Sequence, residues 1–298
     1  MKLVDVPCPV CTDTDYKVLY PDMLGTNPPV FGYKWTPEIC NTYRIVKCNA
    51  CGHVYSNPRL ENMYQYYKDV IDRDYLKNSD LRMQTAKAIL PAVLKIVPSG
   101  RLLDVGCSTG DFLSVAEEYY EVEGLELSKW AFDIAKQRGL LIHTKKLDEM
   151  NDADSKYDII TMWGVIEHLE YPRVELRHVN RLLNNGGIVC FWTGDSNSIY
   201  HKLLRGKWWY LLGQHIQFFN KKSLDRLMND AGFSPVYKGI YPYVMSLKYL
   251  GISLSRYPLI GSLARKLFKI FRLEKRKFIL KKSDEMFAIY RKHSHIDT

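Results

Sequence analysis

The 298-residue chain has no uncharged apolar segment as long as a membrane-spanning helix, which needs about 18 residues or more. Its first residues, MKLVDVPCPVC, also contain no apolar stretch typical of a secretory signal. These absences argue against an integral membrane protein and a secreted protein. We therefore expect a cytoplasmic protein.

The chain also lacks the G-x-G-x-x-G fingerprint with which many α/β folds bind a pyrophosphate. Residues 101–113, RLLDVGCSTGDFL, begin as a short apolar strand, continue into a glycine-containing turn and lead into a predicted helix. Asp111 occupies the position of the third glycine. Glu126 lies about 20 positions after Gly106, where an acidic residue can bind ribose hydroxyls. The pattern therefore favours a nucleoside without phosphates.

Three motifs in order resemble the class I S-adenosylmethionine-dependent methyltransferases. They are D-V-G-C-S-T-G from residue 104, G-L-E-L-S from residue 124, and Y-D-I-I-T-M-W-G-V-I-E-H-L from residue 157. The resemblance covers about residues 80–233 and implies an α/β fold with a Rossmann-like, doubly wound, seven-stranded sheet. We expect residues 235–240 and 286–290 to form its terminal antiparallel pair.

The same resemblance implies where S-adenosylmethionine binds. The turn after the first strand would hold the methionine part of the cofactor, the Glu126 carboxylate would take both ribose hydroxyls, and residues 146–148 would lie near the adenine. Ser108 replaces a glycine that many family members have. The predicted cofactor-binding residues are Asp104, Gly106, Cys107, Ser108, Gly110, Glu126, Leu127, Leu147 and Trp163.

A hydroxyl acceptor needs a base within hydrogen-bond reach. We predict Glu167, His168 and His215 as catalytic residues. They are similar to residues that hold a divalent metal in ubiquinone-pathway and small-RNA 2′-O-methyltransferases, but Trp163 replaces the first glutamate of that set, and an indole cannot bind a metal. A histidine base without metal, a reduced Mg²⁺ site and a structural role all remain open.

Seven cysteines include two C-x-x-C pairs. Four thiolates suit a closed tetrahedral zinc site, so we predict a structural Zn²⁺ in a ribbon domain of residues 1–60. A redox pair and a metal-free segment are the alternatives. The predicted ligands are Cys8, Cys11, Cys48 and Cys51.

A helical lid or linker is predicted for residues 61–100, followed by a methyltransferase domain over residues 101–298. The lid segment contains four tyrosines, which either pack as a helix face or cover the cofactor. A further aromatic group at residues 208–210 either stacks on the acceptor or packs as part of a lid. The four tyrosines are Tyr64, Tyr66, Tyr67 and Tyr75.

Acidic residues are scarce in residues 241–282, which contain eleven lysines and arginines against Glu274 alone. This segment carries the positive charge of the whole chain, whose net charge is +9. Apolar residues alternate with the cations, as in a helix that lies on an anionic bilayer. RNA would be attracted by the same charges. A helical pair that packs on the domain is the third interpretation.

The combination of C-P-x-C, C-x-x-C-G-x-x-Y-x-N-P-R and a class I core resembles bacterial methyltransferases of surface-glycan or metabolite pathways. It implies O-methylation of a hydroxyl on a sugar, a lipid-linked glycan or a related metabolite. The expected partners are this acceptor and an anionic membrane surface contacted through residues 241–282, at the inner face of the membrane. RNA methylation and a non-catalytic cofactor-binding module are the alternatives.

Overall fold

The computed structural model describes residues 2–32, 36–151 and 156–293. The strands are β1 Leu3–Val4, β2 Tyr16–Tyr20, β3 Ile45–Cys48, β4 Val54–Ser56, β5 Arg59–Leu60, β6 Arg101–Val105, β7 Glu121–Leu125, β8 Leu141–His143, β9 Tyr157–Trp163, β10 Leu183–Gly194, β11 Gln217–Phe218, β12 Phe233–Ser246 and β13 Lys277–Lys292. The α-helices are α1 Tyr64–Tyr67, α2 Arg73–Leu76, α3 Ser79–Leu94, α4 Leu113–Ala116, α5 Lys129–Gln137, α6 Pro172–Leu182, α7 Ile199–Leu204, α8 Lys221–Asp230, α9 Leu247–Ser253 and α10 Pro258–Ile270. The 3₁₀ helices are Pro37–Cys40, Leu147–Glu149, Ile166–His168, Arg205–Lys207 and Leu254–Arg256.

A seven-stranded sheet in the order β12-β13-β10-β9-β6-β7-β8 forms the centre of the molecule. The five strands from β6 to β10 pair in parallel, and β13 pairs antiparallel with both of its neighbours. The predicted α/β class and doubly wound sheet are confirmed, as is the terminal antiparallel pair. Both terminal strands, β12 and β13, extend into the basic segment of residues 241–282, so helices occupy only the middle of that segment.

The central strands are rich in buried apolar residues because helices cover both faces of the sheet. Their alternate residues enter two separate buried clusters, one on each face. In β6, for example, Leu103 joins one cluster and Leu102 the other. This arrangement brings the carboxyl ends of β6, β7 and β9 to one edge, where ligands of such sheets collect.

The helix after the β6 turn is shorter than the sequence predicts. Residues 111–120 were expected to be helical, but the α-helix covers only α4. Asp111 lies in this turn and accepts hydrogen bonds at 2.6 Å from Arg82 Nε and from Arg138 Nη1. Two arginines from flanking elements thus fix the position at which a dinucleotide-binding turn would have glycine.

The N-terminal ribbon is built on a second sheet, in the order β11-β4-β3-β2. Three of these strands come from the first 60 residues. The fourth, β11, comes from the segment after β10, more than 150 residues later. The predicted boundary near residue 60 stays a prediction, but the ribbon sheet is completed from outside it.

The basic segment folds as α9, a 3₁₀ turn and α10, carried on the extended hairpin of β12 and β13. Within the described residues, no helix combines the length and apolar character needed to cross a bilayer. One face of α10 nevertheless points aliphatic and aromatic side chains into solvent. These exposed residues are Leu259, Ile260, Leu263, Leu267 and Ile270, with Phe271 after the helix end.

Candidate active site

A cavity of about 680 Å³ opens at the carboxyl edge of the large sheet. Its floor consists of the ends of β6, β7 and β9, and its other walls come from the lid segment before α3 and from α6. Six of the nine predicted cofactor residues line it: Gly106, Ser108, Glu126, Leu127, Leu147 and Trp163.

The three other predicted cofactor residues lie behind this lining. The Asp104 carboxylate accepts a hydrogen bond from Thr161 Oγ1 at 2.6 Å. Cys107 packs under β7, where a Cβ on Gly124 would come within 2.6 Å of its Sγ. A Cβ on Gly110 would meet Leu140 Cδ1 at 2.4 Å. None of these three residues is among those that line the cavity.

Glu126 is held rigidly at the cavity wall. Its Oε2 accepts from the Ser108 N–H at 2.8 Å, and its Oε1 accepts from the Ser128 N–H at 2.7 Å. Burial raises the pKa of this carboxyl above its ordinary value. Because each carboxylate oxygen has a second acceptor position, both remain able to accept from a pair of ribose hydroxyls.

Two buried polar atoms at the cavity have no partner among the described residues. They are Ser108 Oγ and Trp163 Nε1. Buried polar groups are normally hydrogen-bonded, so both indicate a bound ligand. Sterics require glycine at position 106 of the cavity wall, because its φ is +69° and a Cβ there would lie 2.8 Å from Val165 Cγ2. The residues present therefore fit a compact nucleoside without phosphates.

Asp104 is a buried acid at the end of β6, 2% exposed. Burial raises the pKa of its carboxyl to about 7. The hydrogen bond from the Thr161 hydroxyl has the smaller, opposite effect, because it stabilises the ionised form. The carboxyl therefore changes charge near neutral pH. An ionised Asp104 would place a negative charge behind the lining of the cavity.

The predicted catalytic residues lie together at the opposite end of the cavity. Their potential ligand atoms are all within 4.8 Å of one another, and the rings of His168 and His215 are 4.7 Å apart between centroids. Only His168 lines the cavity. Glu167 and His215 are buried behind it.

Backbone carbonyls fix the tautomer of both imidazoles. His168 Nδ1 is 2.9 Å from the Gln214 carbonyl oxygen and 2.8 Å from the Tyr67 hydroxyl. His215 Nδ1 is 2.8 Å from the Tyr210 carbonyl oxygen. A carbonyl oxygen only accepts, so Nδ1 carries the proton in each ring and Nε2 keeps its lone pair.

Burial favours the neutral form of both histidines. It lowers the pKa of His168 to about 4 and the pKa of His215 well below its ordinary value. Burial also raises the pKa of Glu167 to about 7, while its Oε2 accepts from Thr193 Oγ1 at 3.2 Å. Two imidazoles and one carboxylate could hold a transition metal, but magnesium prefers oxygen ligands. This donor set therefore does not fit the predicted Mg²⁺.

The lid interpretation accounts for three of the four tyrosines before α3. Tyr64, Tyr67 and Tyr75 line the cavity, whereas Tyr66 stacks on Phe31. The sequence left open whether this cluster packs as a helix face or covers the cofactor. It covers the site because α1 and α2 are single turns that fold over the sheet edge.

The aromatic group at residues 208–210 packs in the protein interior. Trp208 Nε1 and Trp209 Nε1 both donate to Asp284 Oδ2, at 2.8 and 2.5 Å. None of the three aromatic residues lines the cavity. The Tyr210 carbonyl oxygen accepts a hydrogen bond from His215 Nδ1, so Tyr210 contacts the predicted catalytic residues through its backbone.

The four predicted zinc ligands converge within the ribbon. Their sulfur atoms lie within 4.8 Å of one another, and two Sγ pairs, Cys8–Cys51 and Cys11–Cys48, are 3.5 Å apart. Zinc–sulfur bonds of about 2.3 Å in a tetrahedron require similar separations. The thiol chemistry and the spacing therefore fit the zinc predicted from the sequence.

Two wall residues carried no sequence signal. Gln214 exchanges a pair of hydrogen bonds with the backbone of Gly32, at 3.0 and 3.1 Å, and both residues line the cavity. A loop of the N-terminal ribbon thereby borders the site. No periodicity or motif in the sequence links positions this far apart.

A family model described as a methyltransferase domain matches residues 77–238, which is more than half of the chain. The chain belongs to the class I S-adenosylmethionine-dependent methyltransferases. The match spans the cofactor turn, Glu126 and both histidines, so the cavity of this methyltransferase is the expected place for its cofactor.

Two curated relatives of the methyltransferase are O-methyltransferases by name. The ubiquinone biosynthesis O-methyltransferase of Alkalilimnicola ehrlichii is 30% identical over 148 residues, which is 44% of this chain and 59% of that protein. The malonyl-[acyl-carrier protein] O-methyltransferase of Paenibacillus sp. is 22% identical over 271 residues, which is 79% of this chain and 97% of that protein.

The fold also matches solved structures. A SAM-dependent methyltransferase from Archaeoglobus fulgidus aligns with a TM-score of 0.51 at 16% identity and covers 74% of this chain and all of the other. At this identity, the likeness concerns the fold alone. The N-terminal ribbon lies before the residues matched by the family model.

Proposed function

We propose that this methyltransferase transfers the methyl group of S-adenosylmethionine to a hydroxyl of a sugar, a lipid-linked glycan or a related metabolite. The observation that carries the proposal is His168, the catalytic candidate that lines the cavity. Its Nδ1 is tied to the Gln214 carbonyl, so its Nε2 is free to accept the proton of an acceptor hydroxyl.

The cofactor would supply an activated methyl group, and the residues of the chain would orient the acceptor and take its proton. His168 is neutral at physiological pH, so Nε2 is ready to accept. Glu167, whose pKa is raised to about 7, supplies negative charge close to the resulting imidazolium when it is ionised. The Tyr67 hydroxyl restricts rotation of the ring from the lid side.

An oxygen acceptor is favoured by the relatives. Both O-methyltransferases described above act, by name, on oxygen, and their names point to quinone and acyl-carrier substrates. A lipid-like acceptor also agrees with the apolar character of the lid. A sugar hydroxyl and a quinone hydroxyl would make the same demand on His168.

We also propose that the enzyme works at an anionic membrane surface. With about 100° between successive helix positions, the exposed apolar residues of α10 fall within an arc of roughly 120°. Arg265 and Lys269 lie on the other side of the helix, and Lys266 borders the apolar arc. A helix of this kind lies in the bilayer interface, whereas an RNA backbone would need the cations alone.

The ribbon would bind one Zn²⁺ through Cys8, Cys11, Cys48 and Cys51, in a structural role. All four ligands come from the protein, which leaves no open position for a substrate or a water.

The proposed membrane contact includes a location for the protein: the cytoplasm, at the inner face of the membrane.

Radiolabelled cofactor, offered with sugar nucleotides, quinols, lipid-linked glycans and RNA, would test the proposed function. We expect transfer to a hydroxyl, with turnover reduced about 100-fold in His168→Ala and less in His215→Ala, and with cofactor affinity nearly unchanged in both. Wild-type turnover in both variants would eliminate the histidine base. Transfer to RNA alone would support the alternative acceptor, and cofactor binding without any transfer would favour a binding module.

A further inference from the structure

The N-terminal ribbon pairs directly with the segment that carries a catalytic candidate. β11 runs antiparallel to β4, and the Ser56 N–H donates to the Ile216 carbonyl oxygen at 3.0 Å. His215 immediately precedes this segment. The ribbon therefore holds the peptide from which the His215 imidazole projects.

A single buried side chain links the ribbon to the two chain segments that carry His168 and His215. Gln217 is fully buried. Its Oε1 is 3.0 Å from His53 Nε2 in the ribbon, and its Nε2 donates to the Leu169 carbonyl at 3.0 Å. Leu169 directly follows His168, and Gln217 lies two residues after His215. The Gln217 amide thus joins three chain segments that are distant in sequence.

A second contact between the ribbon and the core lies at Glu170, two residues after His168. The Arg59 guanidinium, which is 1% exposed, donates to Glu170 Oε2 at 2.9 Å. Glu170 also accepts from the Asn62 and Met63 N–H groups. A buried ion pair with these additional bonds tolerates little displacement, because separating it would leave a buried charge without a partner.

We propose that the ribbon is a positioning element of the active site, with Gln217 as the residue that transmits its position to both imidazoles. The inference rests on the proposed function, in which His168 accepts the proton of the acceptor hydroxyl and His215 packs against the His168 ring. Residues 49–53 connect β3 to β4; Cys48 ends β3 and Cys51 lies in this connection. A metal at the cysteines would therefore fix the hairpin on which β11 is aligned.

The test uses the full chain labelled with ¹⁵N-histidine, without an acceptor. Two-bond ¹H–¹⁵N correlation spectra report the tautomer and surroundings of each imidazole, and His168→Gln and His215→Gln assign the signals. In Gln217→Met, which keeps side-chain length but loses both hydrogen bonds, we expect the two signals to shift or double. Affinity for S-adenosylhomocysteine, measured by calorimetry, should stay within about twofold.

Arg173→Met is the matched control. Arg173 Nη1 donates to the Val10 carbonyl at 2.6 Å and pairs with Asp230, so it joins the ribbon to α6 and α8 and not to β11. Its spectrum should match wild type. Unchanged histidine signals in Gln217→Met, or equal changes in the control, would overturn the proposal.

If Gln217→Met does not fold, Glu170→Gln takes its place, with the same expectation for His168 and the same contrary result. Removal of zinc by a chelator provides a second measurement, and it should move the same two signals. Neither readout depends on the acceptor, so a failed positioning proposal is distinguishable from a failed acceptor assignment.

Discussion

Individual buried carboxyl groups stabilise the end of the cavity where the cofactor is expected to bind. Glu126 accepts hydrogen bonds from two backbone N–H groups and also lines the cavity. Its replacement therefore has two separable effects: loss of a ligand for ribose and loss of partners for two buried amides. An unsatisfied buried donor costs about 1–3 kcal/mol.

Glu126→Gln should weaken cofactor binding at least tenfold, because an amide offers one acceptor oxygen where the carboxylate offers two. Its melting temperature should fall less than that of Glu126→Ala, which leaves both amides without a partner. Calorimetry with S-adenosylhomocysteine and thermal unfolding measure the two effects. Wild-type affinity in both variants would remove the ribose assignment.

Asp104 should make stability depend on pH. Its pKa is about 7 in the folded chain and 3.8 ordinarily. Between these values the folded state keeps a proton that the unfolded state has released, so this contribution is complete below about pH 4 and is lost as pH rises through about 7. Each pKa unit corresponds to about 1.4 kcal/mol.

Urea unfolding of wild type and Asp104→Asn at pH 5 and pH 8 isolates this contribution, since other titrating groups affect both proteins alike. The variant should gain stability relative to wild type at the higher pH, on the order of a few kcal/mol. Parallel pH dependence of the two proteins would contradict a raised pKa at Asp104.

Six of the residues that line the cavity could be predicted, because they lie on contiguous motifs at strand ends, where local sequence determines geometry. Ser108 was noted as a departure from glycine, and the structure gives it a φ of +48°, which explains the usual glycine. Gln217 gave no such signal. Its role depends on His53, 164 positions earlier, and the sequence alone does not reveal that contact.

Among the secondary structure elements, α10 differs most from a helix of the protein interior. Leu259 is 88% exposed and Leu263 is 60% exposed. The alternation of apolar and basic residues in the sequence predicted an amphipathic helix. It could not determine which apolar residues α9 would cover, because that depends on how the two helices pack.

Leu259→Gln combined with Leu263→Gln should reduce pelleting with phosphatidylglycerol vesicles by about tenfold or more, since each leucine that leaves the bilayer interface costs on the order of 1 kcal/mol. The melting temperature should stay unchanged, because both side chains are already in solvent. High salt should weaken binding by wild type.

Ile199→Gln, at a residue of α7 that is 62% exposed, is the control and should pellet as wild type does. Absence of pelleting by wild type would contradict a membrane surface. A gel shift with RNA that responds to Lys266→Glu and Lys269→Glu, but not to the leucine changes, would assign the segment to nucleic acid.

At the scale of the whole molecule, the ribbon and the large sheet share one cavity wall. The fold of each part was predictable, because cysteine spacing indicates a knuckle pair and strand periodicity indicates a doubly wound sheet. Their attachment was not, since it depends on β11 and on the Arg59–Glu170 pair, which join residues more than 100 positions apart.

Metal analysis should give one zinc per chain in wild type and none in Cys48→Ser, which should also have a lower melting temperature. Cys40→Ser is the control, since this cysteine lies outside the cluster, and it should retain zinc. A stable, metal-free wild-type protein would contradict the zinc site. Chelation should destabilise the chain as a whole, because the ribbon packs along the large domain.

The two residues of β11 also limit how this enzyme can be recombined with its relatives. A chimera with a crossover at residue 60 would separate three strands of the small sheet from the fourth and leave β4 with an open edge. The small sheet is discontinuous in sequence, since it combines strands from the first 60 residues with a short segment around position 217. Exchange of the N-terminal part between homologues requires both pieces to be transplanted together.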